Sequence, residues 1–221
     1  MHPEVAPNGE PANPRSPGRT ALVQRGLVLN YVTIGYNVLE AVVALGAGIV
    51  AGSVALVGFG LDSVIEVTAS GAAQWRLRAD IDASRRERAE HATLRIIGWS
   101  FLALATYVVF DSANALLRRE PPERSIVGLV LLALSAIVMP ILARAKRRVA
   151  RAMTSRALEA DAMQTSLCAY LSVIALVGVA LNTALGWWWA DPVAALAMVP
   201  IIAKEGVEGV RGEAHCEDDC C

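Results

Sequence analysis

The sequence predicts an all-α membrane protein, a bundle of six transmembrane helices with both termini in the cytoplasm. Three observations support this prediction. Hydrophobic residues make up 55% of the 221 residues and charged residues only 19%, whereas a soluble domain has about 25% charged residues. Six apolar runs approach the roughly 20 residues that a helix needs to span a bilayer. Lysine and arginine are concentrated in alternate connections between these runs.

The chain divides into three predicted parts. Residues 1–22 are expected to form a disordered tail, because the first twenty residues contain five prolines and no apolar run that would make a signal peptide. Residues 23–210 are the predicted transmembrane domain. Residues 211–221 form a predicted cytoplasmic tail rich in Cys, His and Asp.

The six apolar runs are separated by charged or turn-forming segments. Clustered glycines close the first run, a charged stretch at 76–91 follows the second, a Pro-Pro pair follows the third, and a basic segment follows the fourth. The fifth run continues a helix that begins near Ala157, and Lys204, Glu205 and Glu208 make the sixth run the least apolar. The predicted spans are 27–50, 53–75, 93–117, 126–143, 167–188 and 192–210.

Orientation is predicted from the basic residues, which are retained on the cytoplasmic side of a membrane. All of the 20 lysines and arginines except Arg118, Arg119 and Arg124 fall in the two tails or near the connections after the second and fourth runs. Both termini are therefore predicted inside. The tryptophans at 187–189 then lie at the outer boundary, where amphipathic rings are favoured. The predicted location is the plasma (inner) membrane, with several passes.

Composition also excludes several classes of function. A net charge of −1 gives no support for nucleic-acid binding. Three of the four cysteines lie in the last six residues, which is not a disulfide framework. The sequence has no HExxH motif, and its histidines stand at 2, 91 and 215, away from the apolar runs. We therefore expect no enzyme and no prosthetic group, with intramembrane hydrolysis by paired acids as a remote alternative.

Two acids lie within the second apolar run. Asp62 and Glu66 are four residues apart, so both carboxylates lie on one face of the predicted helix. An ionised side chain at the bilayer centre costs roughly 2.5 to 3.5 kcal/mol, and two like charges also repel. A divalent cation between them would relieve both costs. The alternative is that one acid is protonated and hydrogen-bonded to a neighbouring helix.

The fifth run carries a second polar face. Asp161, Gln164 and Cys168 follow at i, i+3 and i+7, which places them on one side of a helix. Against the second helix, two carboxylates, an amide and a thiolate would supply four ligands for a metal ion, with Asp161 at its entry. Alternatively, Cys168 is a small buried hydrophobic residue.

Other polar residues have two interpretations each. Glu40 and Asp111 are candidates for an exit path or for helix pairing, Glu40 with Asn30 and Asn37 and Asp111 with Asn114 or a backbone group. His215, Cys216, Cys220 and Cys221 are candidates for metal capture by the tail, together with Asp218 and Asp219. The alternative for the tail is an unstructured segment with incidental cysteines.

The chain resembles the transmembrane domain of the cation diffusion facilitator family over about 27–210. The similar segments are GSVALVGFGLDSVIE, ALEADAMQTSLCAYLS and ADPVAALAM. The resemblance implies a six-helix bundle, a homodimer, and export of a zinc-like divalent ion from the cytoplasm in exchange for protons. It also implies that the metal ligands are Asp62 and Glu66, with Gln164 and Cys168 where the family has histidine and aspartate.

These two departures bear on the transported metal. An amide and a thiol make the site softer, so zinc, cadmium or cobalt are favoured over manganese or magnesium. Cys168 must lose its proton to bind metal, which would couple binding to proton release. The family usually has a folded cytoplasmic domain after the sixth helix, whereas about ten residues follow the sixth run in this sequence. The expected partners are the ion, protons, the lipid bilayer and a second copy. A metal sensor or accessory protein that does not transport is the alternative function.

Overall fold

The computed structural model describes residues 17–78, 83–119, 122–153 and 156–211. In these ranges the chain forms six α-helices and no strand, which confirms the predicted all-α bundle. The helices are α1 Pro17–Ala51, α2 Val54–Arg78, α3 Ala83–Arg118, α4 Ile126–Met153, α5 Arg156–Leu185 and α6 Ala190–Arg211.

Five of these helices are long and apolar enough to cross a membrane, judged over the described residues. The apolar stretches are Gln24–Ala51, Val54–Gly71, Arg95–Arg118, Ile126–Ala152 and Asp161–Leu185. Helix α6 is not long and apolar enough by the same criteria. Its apolar stretch is shortened by Asp191 at its start and by three charged residues near its end, Lys204, Glu205 and Glu208. The crossing of the membrane by α6, and the side on which each terminus lies, remain predictions.

Several helices extend beyond the predicted spans. Helix α1 begins at Pro17, inside the predicted disordered tail, and proline suits the first turn of a helix because its missing N–H has no partner there anyway. Helix α3 begins at Ala83, within the charged stretch, and α4 continues through the basic segment to Met153. The apolar runs thus marked only those parts of the helices that suit lipid. Most of the predicted tails 1–22 and 211–221, namely residues 1–16 and 212–221, lies outside the described residues.

The helices pack most extensively as three pairs, α1 with α2, α3 with α6 and α4 with α5. Helix α2 also contacts α3, α5 and α6, so it occupies a central position. Its Leu56 and Phe59 are fully buried, while large apolar side chains such as Val42, Phe110 and Ile137 are exposed on the outside of the bundle. This distribution suits a surface surrounded by lipid.

Glycines allow close contacts between helices. A Cβ built on Gly98 of α3 would lie 2.4 Å from the Val210 nitrogen and 2.7 Å from the Gly206 carbonyl oxygen, both in the backbone of α6. A Cβ on Gly48 would lie 2.9 Å from the Val57 nitrogen, so α1 and α2 also approach closely. Gly52 instead occupies the turn between these helices, with φ of 64°, a conformation that favours glycine.

The start of α2 is capped by a residue of α6. Asp191 is buried and accepts hydrogen bonds from the backbone nitrogens of Val54 at 2.9 Å and Ala55 at 3.4 Å, and from the hydroxyl of Ser53. The first turn of a helix has N–H groups without helical partners, and this carboxylate satisfies two of them. Asp191 therefore connects α6 directly to the helix that carries Asp62 and Glu66.

Candidate metal-transit site

Asp62 and Glu66 lie on the buried face of α2. Their exposed fractions are 1% and 0%, and their four carboxylate oxygens accept no hydrogen bond from the residues that the structure describes. Buried polar atoms are normally hydrogen-bonded, and one left unsatisfied costs about 1 to 3 kcal/mol, more when it is charged. A proton or a cation bound to these oxygens would therefore stabilise them inside the bundle.

Cys168 of α5 faces these two carboxylates. It is 1% exposed, and its thiol lies beside both Asp62 and Glu66. Thr165, one turn earlier on α5, also faces Glu66. The carboxylate of Glu66 accepts no hydrogen bond from Thr165 or from Cys168. Because α2 and α5 pack directly together, three of the four predicted ligands lie on the facing sides of these two helices.

Gln164, the fourth predicted ligand, is less central. Its side chain is only partly buried, whereas Asp161, Thr165 and Cys168 are buried on the same helix. In the described part of the chain, no three His, Cys, Asp or Glu side chains are close enough to hold a metal ion as they stand. The side chains of Asp62, Glu66 and Cys168 would have to rotate toward one another to bind one.

Glu40 of α1 lies at the same level of the bundle. Its carboxylate accepts hydrogen bonds from Ser63 at 2.9 Å and from Ser135, and the Cys168 thiol donates to it over 3.9 Å. It also lies close enough to Asp62 and Glu66 to interact with them electrostatically. Glu40 therefore joins four helices, α1, α2, α4 and α5, and adds a third carboxylate to the cluster. From the sequence alone, Glu40 was expected only in an exit path or in helix pairing.

Asp161 is paired within the bundle. Its Oδ2 atom lies 2.9 Å from the Nζ atom of Lys146, and its Oδ1 atom accepts a hydrogen bond from Ser70 at 2.9 Å. The sequence alone did not predict Lys146 as a site residue, because it lies in the basic segment after the fourth apolar run. Its sequence neighbours Arg144, Arg147 and Arg148 are also basic, so no pattern in the sequence distinguishes Lys146 from them.

Asp111 does not belong to this cluster. It is partly exposed on α3 and accepts a hydrogen bond from the Tyr107 hydroxyl at 3.2 Å, one turn earlier in the same helix. This pairing is local, and it differs from the expected partner Asn114. The tail residues His215, Cys216, Cys220 and Cys221 lie outside the described residues.

The inward polar side chains follow one another along the bundle. On α2, Asp62, Glu66 and Ser70 are spaced by four residues, or about 6 Å each. Opposite them on α5 lie Cys168, Thr165 and Asp161 in the same order. The bundle interior thus contains a polar path between α2 and α5, formed by these six side chains, with oxygen atoms along its length and the sulfur atom of Cys168.

Comparisons with known proteins agree with this architecture. A family model described as the cation efflux transmembrane domain matches residues 31–212. A protein of Synechocystis named as an uncharacterized transporter is 28% identical over 177 residues, which cover 76% of this chain and 56% of that protein. The cation-efflux pump FieF of Shewanella oneidensis is 26% identical over 113 residues, which cover 51% of this chain and 36% of that pump.

The alignments thus cover about half or less of these two relatives' lengths. The match to the family model, in contrast, covers most of this chain and includes α2, α5 and the whole polar path between them. The chain therefore belongs to the cation efflux family, through its transmembrane domain.

Proposed function

We propose that this protein is a secondary transporter that exports a zinc-like divalent metal ion from the cytoplasm across the plasma (inner) membrane, in exchange for protons. The observation that carries the proposal is the pair Asp62 and Glu66, buried beside Cys168 with four carboxylate oxygens that accept no hydrogen bond from the described residues. A cation neutralises such a pair, and a membrane interior holds buried acids mainly where ions or protons pass.

The ligands support a metal of intermediate softness. Asp62 and Glu66 offer hard oxygen atoms and Cys168 offers a soft sulfur atom, a combination that suits zinc, cadmium or cobalt better than magnesium. Glu40 adds a third carboxylate on the side of α1. Gln164, the remaining ligand of the proposal, would turn inward when the ion binds.

The relatives support the direction of transport. One is named as a cation-efflux pump and the other as a transporter, so we assign export to this chain as well. Proton exchange fits a site whose ligands carry protons when no metal is bound, because metal displaces those protons. We also propose a homodimer, since the exposed apolar faces of the bundle allow helix contacts within the membrane.

A membrane metal sensor that does not transport is the second candidate. It is favoured by the partial exposure of Gln164 and by the lack of three converging acidic, His or Cys side chains among the described residues. A sensor needs to bind metal on one side only. A measurement of metal transport therefore distinguishes a transporter from a sensor.

The test is the uptake of Zn²⁺, Cd²⁺ and Co²⁺ into everted vesicles that contain the full chain. We expect uptake driven by an outward-directed proton gradient, and we expect Asp62→Asn and Glu66→Gln to reduce it at least about a hundredfold, since each removes a charged ligand from a buried site. Asp111→Asn is the matched control, because it changes an acid outside the cluster, and it should transport normally.

The possible results separate the candidates. Metal binding without uptake would establish the sensor and contradict transport. Uptake that persists in both Asp62→Asn and Glu66→Gln would show that the ion does not pass through this site.

A further inference from the structure

Lys146 places an ammonium group inside the bundle. Its side chain is 3% exposed, and Nζ lies 2.9 Å from Asp161 Oδ2, 3.0 Å from Thr165 Oγ1 and 3.4 Å from Ser70 Oγ. These oxygens come from α5 and α2, while Lys146 itself belongs to α4. Three helices therefore form a cage of one carboxylate and two hydroxyl groups around a cation.

This burial is costly and specific. Taking an ammonium group out of water costs several kcal/mol, which a single carboxylate only partly offsets. The neighbouring Arg144, Arg148 and Arg151 on α4 are exposed, as basic side chains near a helix end usually are. Lys146 alone in this group of four is buried.

The cage continues into the candidate transit site. Glu66 lies about one helical turn from Ser70 on α2, and Lys146 is close enough to act on its carboxylate electrostatically. Both Glu66 oxygens are buried and accept no hydrogen bond from the described residues. A cation at the cage would therefore contact the carboxylate of Asp161 and interact electrostatically with that of Glu66.

We propose that this cage is a second binding position for a divalent metal ion, which the chain fills with the ammonium group of Lys146 until metal arrives. A divalent ion interacts more strongly with two carboxylates than a single ammonium charge does. The flexible stem of Lys146 allows its ammonium group to withdraw toward water when the ion takes its place. The position lies on the predicted cytoplasmic side of Asp62 and Cys168, and its role in transport rests on the proposed function.

The displacement can be followed in the unmodified protein by the reactivity of its lysines. Lys146 and Lys204 are the chain's only lysines, and the side chain of Lys204 is 59% exposed. An amine-acylating reagent should modify Lys204 at once and Lys146 slowly. Saturating Cd²⁺ should raise the rate at Lys146 about tenfold or more, because the ion displaces its ammonium group from Asp161. The rate at Lys204 should not change.

A second experiment measures the equilibrium binding of Cd²⁺ to the full chain in detergent. Lys146→Met removes the competing cation, so we expect it to bind one further Cd²⁺ or to bind Cd²⁺ about tenfold more tightly. The matched control is Arg147→Met, since Arg147 lies on the same helix and donates a hydrogen bond to Ser166 at 2.9 Å outside the cage. This control should bind as the natural sequence does.

The double variant Lys146→Met with Asp161→Asn should lose the gain, because it removes the charge that attracts the ion. Protection of Lys146 that persists at saturating Cd²⁺, or unchanged binding in a folded Lys146→Met variant, would overturn this inference. If the natural sequence still transports metal in that case, the proposed function stands and only the second position is wrong. If it neither binds nor transports metal, both fail.

Discussion

Cys168 is the residue at which the acidic side chains of the bundle meet. Its thiol donates to Glu40 and faces Asp62 and Glu66, so it contacts groups from α1 and α2 while it belongs to α5. A serine of similar size could occupy the same volume, but it would not supply a soft ligand. The identity of this one atom, sulfur or oxygen, is therefore expected to influence which metals bind.

We predict that Cys168→Ser lowers the affinity for Cd²⁺ at least about tenfold, or about 1.4 kcal/mol, and lowers the affinity for Mn²⁺ much less. The reason is that thiolate prefers soft metals. The measurement is equilibrium binding to protein in which the tail cysteines Cys216, Cys220 and Cys221 are all replaced by serine, so that only one thiol remains. The same variant should release about one proton fewer per Cd²⁺ bound. Equal losses for both metals would contradict this prediction.

The sequence was sufficient to predict that Asp62, Glu66 and Cys168 are neighbours. Helical spacing places each of them on an inward face, and each is a polar or ionisable residue within an apolar run. Lys146 could not be predicted as part of the site, since it is one of several basic residues in succession, and such a segment usually lies in water. Thr165 could not be predicted as part of the site either, because a threonine within an apolar run is common. Which basic residue turns inward depends on the partner helices, and these are known only from the fold.

At the scale of helices, the close contact between α3 and α6 depends on a glycine in each helix, Gly98 and Gly206. Gly98 lies against the backbone of α6 near Gly206 and Val210, so the two helices touch without a side chain between them. Neighbouring backbone atoms have no rotamer that could relieve a clash. A side chain added at residue 98 would therefore increase the separation of these helices.

We predict that Gly98→Ala destabilises the bundle by about 1 to 3 kcal/mol, because the added methyl group must push α6 away. The midpoint temperature of unfolding in detergent should fall accordingly. Gly35→Ala is the control, since a Cβ there meets no atom within 4 Å, and alanine is the better helix former by about 0.5 to 1 kcal/mol. A Gly98→Ala protein as stable as the control would show that α3 and α6 do not pack so closely.

The centres of the helices were predictable, but their ends were not. Apolar runs identify the part of a helix that lies in lipid, and α3 and α4 continue well beyond it through charged residues. Such residues are good helix formers and carry no signal of a boundary. The turn at Gly52 was easier to locate, since a cluster of glycines closes α1.

At the scale of the whole molecule, the number of crossings decides the topology. Five helices meet the standard of length and apolarity among the described residues, and α6 does not. If α6 crosses the membrane, both termini lie on the same side, as the basic residues predict. If it lies along the surface instead, the two termini lie on opposite sides.

We predict that the tail cysteines Cys216, Cys220 and Cys221 react with a membrane-impermeant maleimide in everted vesicles but not in intact cells, because an even number of crossings returns the tail to the cytoplasm. Cys168 should stay unmodified in both, since it is 1% exposed. The control is Glu123→Cys in a protein without tail cysteines. Residue 123 is exposed between α3 and α4, and it should react in intact cells. Labelling of the tail from outside would rule out six crossings.

Asp191 caps the start of α2, and this attachment affects how far each part of α2 would move if the helix tilted relative to α6. Separating α2 from α6 at that end would leave the amides of Val54 and Ala55 without an acceptor, so we expect this end to move least. Helix α2 has 25 residues and is therefore about 37 Å long, so a tilt of about 5° moves its far end by about 3 Å. Ser70 lies about 24 Å from Val54 along this helix, so the same tilt moves it by about 2 Å, more than Asp62 or Glu66, which are nearer the capped end. The passage beside Asp161, where the proposed route begins, would therefore widen more than the site at Asp62.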